Sequence, residues 1–354
     1  MYHNSNLAAA TDDEGPSEAA QAALAALYCG RSLDAGASEA LFEAVVQGRL
    51  DDIAISAMLI ALRVKGETAD ELTGAARALR AADEPFPRPD YLFADSCGTG
   101  GDGSGSINVS TAAAFVAAAA GLPVAKHGNR SISSACGSAD VLEQLGARLD
   151  VSAEVSRRAL DETGICFLLA PRYHPGLRHA GPVRRALKVR TIMNMLGPCL
   201  NPAEPSVQLL GVAEVPLLEP IARTLAALGV ERALVVHGAG LDEVALHGET
   251  RAIRVEEGRL EGVTIRPEDA GLERRPFEVL KGGSPEENAE RFRALLAGRA
   301  PQAEEEVVAL NAGALLATAG LAGTLRDGVA AALDAIRSGE AQRRMQLFVE
   351  ATHA

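Results

Sequence analysis

The sequence is poor in aromatic residues and cysteine, and each shortage excludes a class of protein. It has no Trp, and aromatic residues make up 3% of the chain, whereas 47% of its residues are hydrophobic. The core must therefore be built from aliphatic side chains and Ala, a composition that suits closely packed helices. Five cysteines form no CxxC pair, so we expect neither a cysteine metal site nor a disulfide framework.

Positive charge is also scarce, because 34 Lys and Arg face 47 Asp and Glu, a formal net charge of −13. A partner such as nucleic acid or an anionic membrane requires a basic face, so we expect neither. Attraction for an anionic substrate must then be local. The N-terminus lacks the pattern of a signal peptide, and no stretch is apolar enough to span a bilayer. We therefore expect a soluble, cytoplasmic protein in a reducing compartment.

The length of 354 residues exceeds what one core usually supports, which predicts two domains. Residues 1–16 are polar and end in Gly15-Pro16, so we expect a flexible tail there. From residue 17 to about 82, apolar residues recur at helical spacings without a strand pattern. Pro85, Pro87 and Pro89 then make an extended linker. This pattern predicts a small all-helical domain over residues 17–89.

Beyond residue 90, short apolar segments alternate with helical stretches. This pattern is typical of an α/β domain with a mostly parallel central sheet flanked by helices. The first two strands, predicted at 91–96 and 122–125, each run into a polar loop. Ligands of such sheets bind at the carboxyl ends of the strands, where both loops lie. Further along we expect a helical stretch from about 182 to 196 and a hairpin over 251–266.

The two polar loops have the composition of a phosphate site. Residues 98–106 read GTGGDGSGS, and residues 126–134 read KHGNRSISS. Clustered glycines let consecutive N–H groups turn toward one anion, and the N-terminus of a following helix adds a positive dipole end. Asn108 or Ser110 can cap the first of these helices. We therefore predict that the two loops together hold one polyphosphorylated substrate.

The spacing Gly98-x-Gly100-x-x-Gly103 also matches the dinucleotide-binding fingerprint. That motif opens its helix at the third Gly and places an acidic residue about 20 positions later, on the ribose. Here the loop continues to about Asn108, and Lys126 stands where the acid is expected. These departures disfavour a nicotinamide cofactor, and no Gly-Lys-Ser/Thr follows for a Walker loop. A flexible glycine loop without function is a further alternative.

Asp242 and Glu243 form an adjacent acidic pair in a glycine-flanked loop. Adjacent carboxylates are usually just exposed charges, and this pair gains significance from the phosphate loops. Carboxylate and phosphate oxygens together are how Mg²⁺ is usually held. His237 and His247 flank the loop, and such histidines are more often structural. The cysteines near the loops are interpreted as packing residues: Cys97, Cys136 and Cys199.

Several runs of the sequence form a specific set when taken together. They are GTGGD (98–102), NVST (108–111), KHGNRSISS (126–134), GSADVLEQLG (137–146), HPGLRHAGPVRR (174–185), NMLGPCLNP (194–202) and LDEV (241–244). In order and spacing, this set resembles the anthranilate phosphoribosyltransferases over nearly the whole chain. The combination of KHGNRSISS with GTGGD is the most specific part. Pyrimidine nucleoside phosphorylases share the architecture but differ in these loops.

The resemblance implies the second step of tryptophan biosynthesis, in which anthranilate displaces pyrophosphate from 5-phosphoribosyl 1-pyrophosphate. It implies a glycosyltransferase that uses Mg²⁺, with two ions per subunit, and a homodimer that contacts through its helical domains. The small domain would also take residues of about 182–200, leaving 90–181 and 201–354 to the large domain. The alternatives are a pyrimidine nucleoside phosphorylase on the same fold and a non-catalytic relative that binds nucleic acid.

The resemblance also implies a set of site residues. Those for the phosphoribosyl donor are Gly98, Gly101, Asp102, Ser106, Asn108, Val109, Ser110, Thr111, Lys126, His127, Gly128, Asn129, Arg130, Ser131, Ile132, Ser133, Ser134 and Ser138. Those for anthranilate are Gly98, Asn129, Arg184, His127, His174 and Pro198. The metal ligands are Ser110, Asp242 and Glu243. Two positions depart from the commoner family pattern: Cys136 stands where Ser is commoner, and Ser106 where Thr or Ser occurs.

Overall fold

The computed structural model describes residues 15–131 and 136–354 of the chain. Of the tail predicted over residues 1–16, only Gly15 and Pro16 are among the described residues. Three donor-binding residues predicted in the second loop, Ile132, Ser133 and Ser134, also lie outside the described part.

Four helices follow one another at the N-terminal end, as the helical spacing predicts. Each begins after a side chain that accepts a hydrogen bond from a backbone N–H of the first turn, at Ser17, Asp34, Asp51 and Thr68. Such caps satisfy donors that have no partner within the helix. The four helices bury their apolar residues in one shared core. They are α1 (Glu18–Tyr28), α2 (Ala35–Val46), α3 (Asp52–Lys65) and α4 (Ala69–Ala81).

A seven-stranded sheet lies at the centre of the remaining chain. Its strands are β1 (Ala94–Gly98), β2 (Val124–Gly128), β3 (Ile165–Leu169), β4 (Val207–Gly211), β5 (Arg232–Gly238), β6 (Thr250–Glu256) and β7 (Arg259–Ile265). The strand order is β3-β2-β1-β4-β5-β6-β7. All pairs from β3 to β5 are parallel, whereas β6 and β7 form the predicted antiparallel hairpin at one edge.

Helices cover both faces of the sheet, which confirms the predicted architecture. Alternate strand residues face opposite sides, so Leu209 packs in the core that contains α5 and α13, and Leu210 packs in the core of α1 to α4. The helices of this part are α5 (Val109–Ala119), α6 (Ser138–Gln144), α7 (Ala153–Thr163), α8 (Ala170–Tyr173), α9 (Gly181–Leu187), α10 (Ile192–Leu196), α11 (Leu218–Ala227), α12 (Pro285–Leu296), α13 (Gln302–Ala319), α14 (Leu325–Arg337) and α15 (Glu340–Ala351). None of the helices in the described ranges has the length and hydropathy of a membrane span.

Two local predictions near the phosphate loops were wrong. Lys126, His127 and Gly128 lie on β2 rather than in a loop, because their backbones pair in register with residues 167–169 of β3. Asn108 stands at the N-cap position of α5 but does not cap it. Its side-chain amide instead donates to the carbonyl of Cys136, at 3.2 Å.

The helical stretch predicted from 182 to 196 is two helices, α9 and α10. Lys188 ends α9 in the left-handed region, with φ 54°, which turns the chain before α10 begins. Asn194 fixes this turn because its side-chain oxygen accepts the backbone N–H of Thr191, at 3.0 Å. Both helices pack against the N-terminal helices, α9 on α3 and α10 on α3 and α4.

Candidate active site

The loop after β1 has a backbone that only glycine adopts easily. Gly100, Gly101, Gly103 and Gly105 have φ values of 64°, 75°, 72° and 61°, all in the left-handed region. Such a conformation turns successive N–H groups toward one point, as an anion-binding nest requires. The loop then leads into the N-terminus of α5, whose dipole adds positive charge. The backbone of this loop therefore has the conformation that a phosphate cradle would need.

Glycines at the carboxyl ends of three strands bring the acidic pair to this cradle. A Cβ on Gly98 would lie 2.3 Å from Asp242 Oδ2, and one on Gly211 would lie 1.6 Å from the Asp242 carbonyl oxygen. A Cβ on Gly238 would lie 2.2 Å from the carbonyl oxygen of Glu243. The loop after β5 can cross over β1 and β4 only because these positions carry no side chain.

Hydrogen bonds then fix both carboxylates against the first loop and its helix. The N–H of Gly100 donates to Asp242 Oδ2 at 2.7 Å, and the N–H of Ser110 donates to Glu243 Oε1 at 3.0 Å. The N–H of Asp242 donates in turn to Asp102 Oδ2, at 3.4 Å. Residues more than a hundred positions apart in the chain thus share one site.

The acidic pair is electrostatically unfavourable on its own. Burial, together with the neighbouring carboxylate of Asp102, raises the pKa of Asp242 to about 7. Burial also raises the pKa of Glu243 to about 8, with Asp242 adding to the shift. The side chains of Asp242 and Glu243 are both partly accessible to solvent. Their pKa values are raised nonetheless, because protein atoms surround the carboxylates and displace most of the water. A divalent cation between them would offset the repulsion.

Lys126 is a basic residue beside this acidic group. Its side chain is buried at the end of β2, and its ammonium donates to the carbonyl oxygen of Ser96 and to Ser110 Oγ, at 3.4 Å for the second bond. The positive charge of Lys126 opposes the rise in the Glu243 pKa. Lys126 therefore stands where it can meet an anion held by the cradle.

These groups surround one cavity of 370 Å³. Among the residues predicted from the resemblance, its lining contains Gly98, Gly101, Asp102, Ser106, Asn108, Val109, Ser110, Thr111, Lys126, His127, Gly128, Asn129, Arg130, Ser131, Ser138, Arg184, Asp242 and Glu243. A neighbouring cavity of 190 Å³ contains the remaining two, His174 and Pro198. Gly98, His127, Asn129 and Arg184 line both cavities, so the two form one continuous site.

Arg184 is the positive charge at the junction of the two cavities. Burial lowers the pKa of its guanidinium, and no carboxylate opposes that shift. Among the described residues its side chain has neither an ion pair nor a hydrogen-bond partner. A half-buried guanidinium without an anion is costly, so the geometry suits an anionic ligand such as a carboxylate.

A chain of hydrogen bonds forms one wall of the smaller cavity. His127 Nε2 lies 2.9 Å from His174 Nε2, and His174 Nδ1 lies 2.5 Å from Asp83 Oδ1. Burial, reinforced by the adjacent His174, lowers the pKa of His127 well below its usual range. His127 is therefore neutral at neutral pH. The chain fixes the two rings as a wall, since both nitrogens of His174 are occupied.

Sequence reasoning assigned no role to several residues that line the larger cavity, among them the polar residues Arg190 and Asn194. Arg190 lies in the segment that joins α9 to α10, and Asn194 lies in the first turn of α10. Arg190 falls in the gap between two of the runs that carry the family resemblance, HPGLRHAGPVRR and NMLGPCLNP. Its position relative to the site is set by the packing of α9 and α10 and not by any local pattern.

The two histidines that flank the acidic loop, His237 and His247, contact backbone carbonyl oxygens. His237 Nδ1 is 2.9 Å from the Val212 carbonyl oxygen, and His247 Nε2 is 3.1 Å from that of Ala239. A separate cavity of 550 Å³ lies between α13 and strands β5, β6 and β7, and it shares no residue with the predicted site. Within the described ranges, no group of three or more His, Cys, Asp or Glu has the arrangement of a metal site.

Fold and site together correspond to a known class of transferase. A helical bundle domain of the glycosyl transferase family matches residues 21–82, and the a/b domain of the same family matches residues 90–342. The chain is therefore a glycosyl transferase of this class.

Relatives within the class narrow the assignment. The chain is 59% identical to anthranilate phosphoribosyltransferase from Sorangium cellulosum over 93% of its length and 94% of that protein. It is 49% identical to the enzyme of the same name from Tolumonas auensis, over 93% of this chain and 98% of that protein. The chain belongs to the anthranilate phosphoribosyltransferase family, and it is a pentosyltransferase. The resemblance found in the motifs is confirmed, and a nucleoside phosphorylase or a nucleic-acid-binding relative is not favoured.

Solved structures agree with this assignment. Anthranilate phosphoribosyltransferase from Thermus thermophilus superposes with a TM-score of 0.90 at 42% identity, covering 94% of this chain and 99% of that one. The Saccharomyces cerevisiae enzyme, solved in complex with PRPP and Mg, superposes with a TM-score of 0.86 at 26% identity, covering 95% and 99%. The same yeast enzyme has also been solved in complex with 4-fluoroanthranilate.

Proposed function

We propose that the protein transfers the phosphoribosyl group of 5-phosphoribosyl 1-pyrophosphate to the amine of anthranilate, with Mg²⁺, in tryptophan biosynthesis. One observation carries the proposal: a glycine cradle and an acidic pair share a cavity that opens onto an unpaired arginine. The cradle suits the diphosphate, the acidic pair suits the cation, and Arg184 suits the carboxylate of anthranilate. The yeast relative in complex with PRPP and Mg supports the donor and the cation.

Asp242 and Glu243 would hold Mg²⁺ together with Ser110. The fit rests on the raised pKa of both carboxylates, because burial and mutual repulsion raise it and a bound cation would offset both effects. Hard oxygen ligands of this kind are those that Mg²⁺ prefers. When bound, the ion supplies charge neutralisation for the diphosphate. The proposed number is two ions per subunit, one for each carboxylate.

The residues of the chain would act chiefly by orientation and by stabilising negative charge. In the reaction the bond between C1 of the ribose and the diphosphate oxygen breaks, and its electron pair leaves with the diphosphate. Lys126 and the N–H groups of the cradle stabilise the charge that develops there. Arg184 binds the carboxylate of anthranilate and aims the neutral amine at C1. The neutral amine forms the new bond to C1 without prior deprotonation, and its nitrogen then releases one proton to the departing diphosphate or to solvent. The occupied histidines are therefore not required as bases that activate the amine.

The proposal is tested by following the fluorescence of anthranilate after addition of donor and Mg²⁺. We expect the signal to fall and an equivalent amount of pyrophosphate to form, and chelation of Mg²⁺ should stop the reaction. A parallel assay with a pyrimidine nucleoside and inorganic phosphate tests the phosphorylase alternative, and we expect no reaction in it. Stable anthranilate fluorescence with active controls would refute the proposed reaction.

A Gly98→Ala variant tests whether the acidic pair must sit against the cradle. The added Cβ would lie 2.3 Å from Asp242 Oδ2, so the carboxylate has to move. Because a misplacement of about 1 Å can cost about 100-fold in rate, we expect turnover to fall by that order. We also expect the Mg²⁺ concentration for half-maximal rate to rise. Gly262→Ala is the control, since its added Cβ would contact nothing within 4 Å; equal behaviour of both variants would contradict the role.

We also propose that the helical domain forms a homodimer. Ile53, Ser56, Ala57 and Ile60 line one exposed stripe of α3, and Ile53 is 79% exposed. Val64, one helical turn further along α3, is 81% exposed. A second copy of the chain would cover this stripe. The domain boundaries proposed here are residues 17–89 with 182–200, and 90–181 with 201–354.

An Ile53→Lys variant tests the dimer. Placing a charge in an apolar interface removes the burial of Ile53 and adds the desolvation of Lys, so we expect the dimer to weaken by roughly 100-fold or more. Light scattering after gel filtration at micromolar concentration should then show a monomer. Leu321→Lys is the matched control, because Leu321 is 47% exposed but lies outside the stripe. A wild-type protein that is a monomer, or an unchanged dimer in Ile53→Lys, would argue against this surface as the dimer interface.

The cytoplasmic location and the absence of a nucleic-acid partner stay predictions.

A further inference from the structure

Arg190 lies against the glycine cradle without an anionic partner. Its Nη1 atom is 1.4 Å from the position that a Cβ on Gly101 would take, so the guanidinium packs directly on the Gly101 backbone. Its Nη2 atom is buried and has no hydrogen-bond partner among the described residues. Arg190 also makes no ion pair with any carboxylate in the described part of the chain. The guanidinium therefore has unused donors inside the site.

The missing partner is not explained by a shortage of acidic residues. The chain has 47 Asp and Glu against 34 Lys and Arg. Some exposed arginines do pair with carboxylates, as Arg223 does with Glu219 at 2.6 Å and Arg254 with Glu261 at 2.9 Å. A guanidinium that is partly buried and unpaired carries a desolvation cost that an anionic ligand would remove. Arg190 is thus the kind of group that a binding site keeps for its ligand.

The position of Arg190 shows which of the two substrates it faces. Arg184 lines both cavities, as expected for a residue between donor and acceptor. Arg190 lines only the larger cavity, beside the glycine cradle and the acidic pair, and is absent from the smaller one. Its guanidinium packs on Gly101, in the middle of the cradle. The anion that reaches Arg190 is therefore the one that the cradle holds.

The segment that carries Arg190 is firmly placed. Lys188 turns the chain at the end of α9, and the Asn194 side chain holds the backbone of Thr191. Both flanking helices pack on the N-terminal helices. Arg190 consequently reaches the cradle from a different part of the fold than Lys126, which lies on β2.

We propose that Arg190 binds the diphosphate of the phosphoribosyl donor and stabilises it as it leaves. This inference rests on the proposed function and adds a residue to it. Arg190 transfers no proton: the C1–O bond breaks, its electron pair stays on the diphosphate oxygen, and the guanidinium gains in interaction with the growing charge. The planar fork suits two oxygens of one phosphate at once, which a Lys ammonium cannot match.

The test compares wild type with Arg190→Ala, Arg190→Lys and Arg185→Ala. Arg185 is an exposed arginine on α9 and serves as the matched control for loss of one positive charge. Calorimetry measures the binding of inorganic pyrophosphate in the presence of Mg²⁺. The fluorescence assay gives kcat and the KM of each substrate, and thermal unfolding reports whether each variant folds.

We expect Arg190→Ala to weaken pyrophosphate binding and to raise the KM of the donor by about 10- to 100-fold. The KM of anthranilate should stay close to the wild-type value, and Arg190→Lys should recover only part of the loss. Unchanged pyrophosphate affinity in Arg190→Ala, or an equal rise in both KM values, would overturn the proposal. If Arg190→Ala does not fold, Arg190→Lys decides by the same two readouts. Pyrophosphate binding that depends on Arg190 in a protein that transfers nothing to anthranilate would refute the proposed function and leave this inference standing.

Discussion

The double variant Asp242→Asn with Glu243→Gln is expected to lose Mg²⁺-dependent turnover by about 1,000-fold or more. Removing both carboxylates removes the proposed ligands of the cation, and metal-assisted charge stabilisation is worth several kcal/mol in a transition state. The amides keep the shape of the side chains, and each retains one oxygen. These oxygens can still accept the hydrogen bonds from the N–H groups of Gly100 and Ser110. The measurement is the initial rate of anthranilate consumption as a function of Mg²⁺ concentration.

The same double variant, although less active, is expected to be more stable than wild type when Mg²⁺ is absent. Folding raises the pKa of both carboxylates above their unfolded values, to about 7 and about 8. The folded state therefore binds more protons, and stability falls as pH rises from about 4 toward 8. Without Mg²⁺, the neutral variant should unfold at a higher temperature than wild type at pH 8, and this difference should shrink as the pH is lowered to 5.

A matched control separates the site from a general loss of negative charge. Glu256 and Glu257 are also adjacent carboxylates, exposed at the turn between β6 and β7. Glu256→Gln with Glu257→Gln should leave both turnover and the pH dependence of unfolding as in wild type. Turnover near the wild-type level in the Asp242 and Glu243 variant would show that the cation is not held there. A lower unfolding temperature at pH 8 would contradict the electrostatic account.

Arg184→Ala is expected to raise the KM of anthranilate by roughly 100-fold, with a much smaller effect on the KM of the donor. The guanidinium has no partner of its own among the described residues, so its removal leaves the carboxylate of anthranilate without a charge-assisted bond in a confined site. The protein should lose little stability, since no internal ion pair of the described chain is broken. Steady-state kinetics with each substrate varied in turn provides the two KM values.

Arg185→Ala is the control for Arg184→Ala, because Arg185 is the next residue on α9 and is exposed. It should behave as wild type with both substrates. Equal increases in both KM values for Arg184→Ala would contradict its assignment to anthranilate. A neutral analogue without the carboxylate should bind wild type and Arg184→Ala equally, which checks that the carboxylate is the group recognised.

The sequence indicates the role of Arg184 but not that of Arg190. Arg184 lies within a run that resembles the family, so the sequence alone indicates its role. Arg190 lies outside every such run, and neither its neighbours in sequence nor its spacing indicates a role. Its contact with Gly101 joins two segments that are brought together only when α9 and α10 pack on the N-terminal helices.

The phosphate loops show the same division on a smaller scale. The clustered glycines predicted a nest, and their left-handed φ values follow from the composition. The sequence did not show that Lys126 and His127 belong to β2, because a short polar stretch after an apolar one resembles a loop. Pairing with β3 keeps them in the sheet and fixes the direction of their side chains.

The sequence by itself determined the elements, the mostly parallel sheet, the chemistry of the loops and the family, because these depend on local spacing and residue type. Only the tertiary structure decided which distant groups meet. Asp242 bonds to Gly100 across 142 positions of the chain. That contact requires adjacent strands β1 and β4 that end in glycine, so that the loop after β5 can cross them. Strand order and close backbone approach are properties of the packed sheet, which no local pattern records.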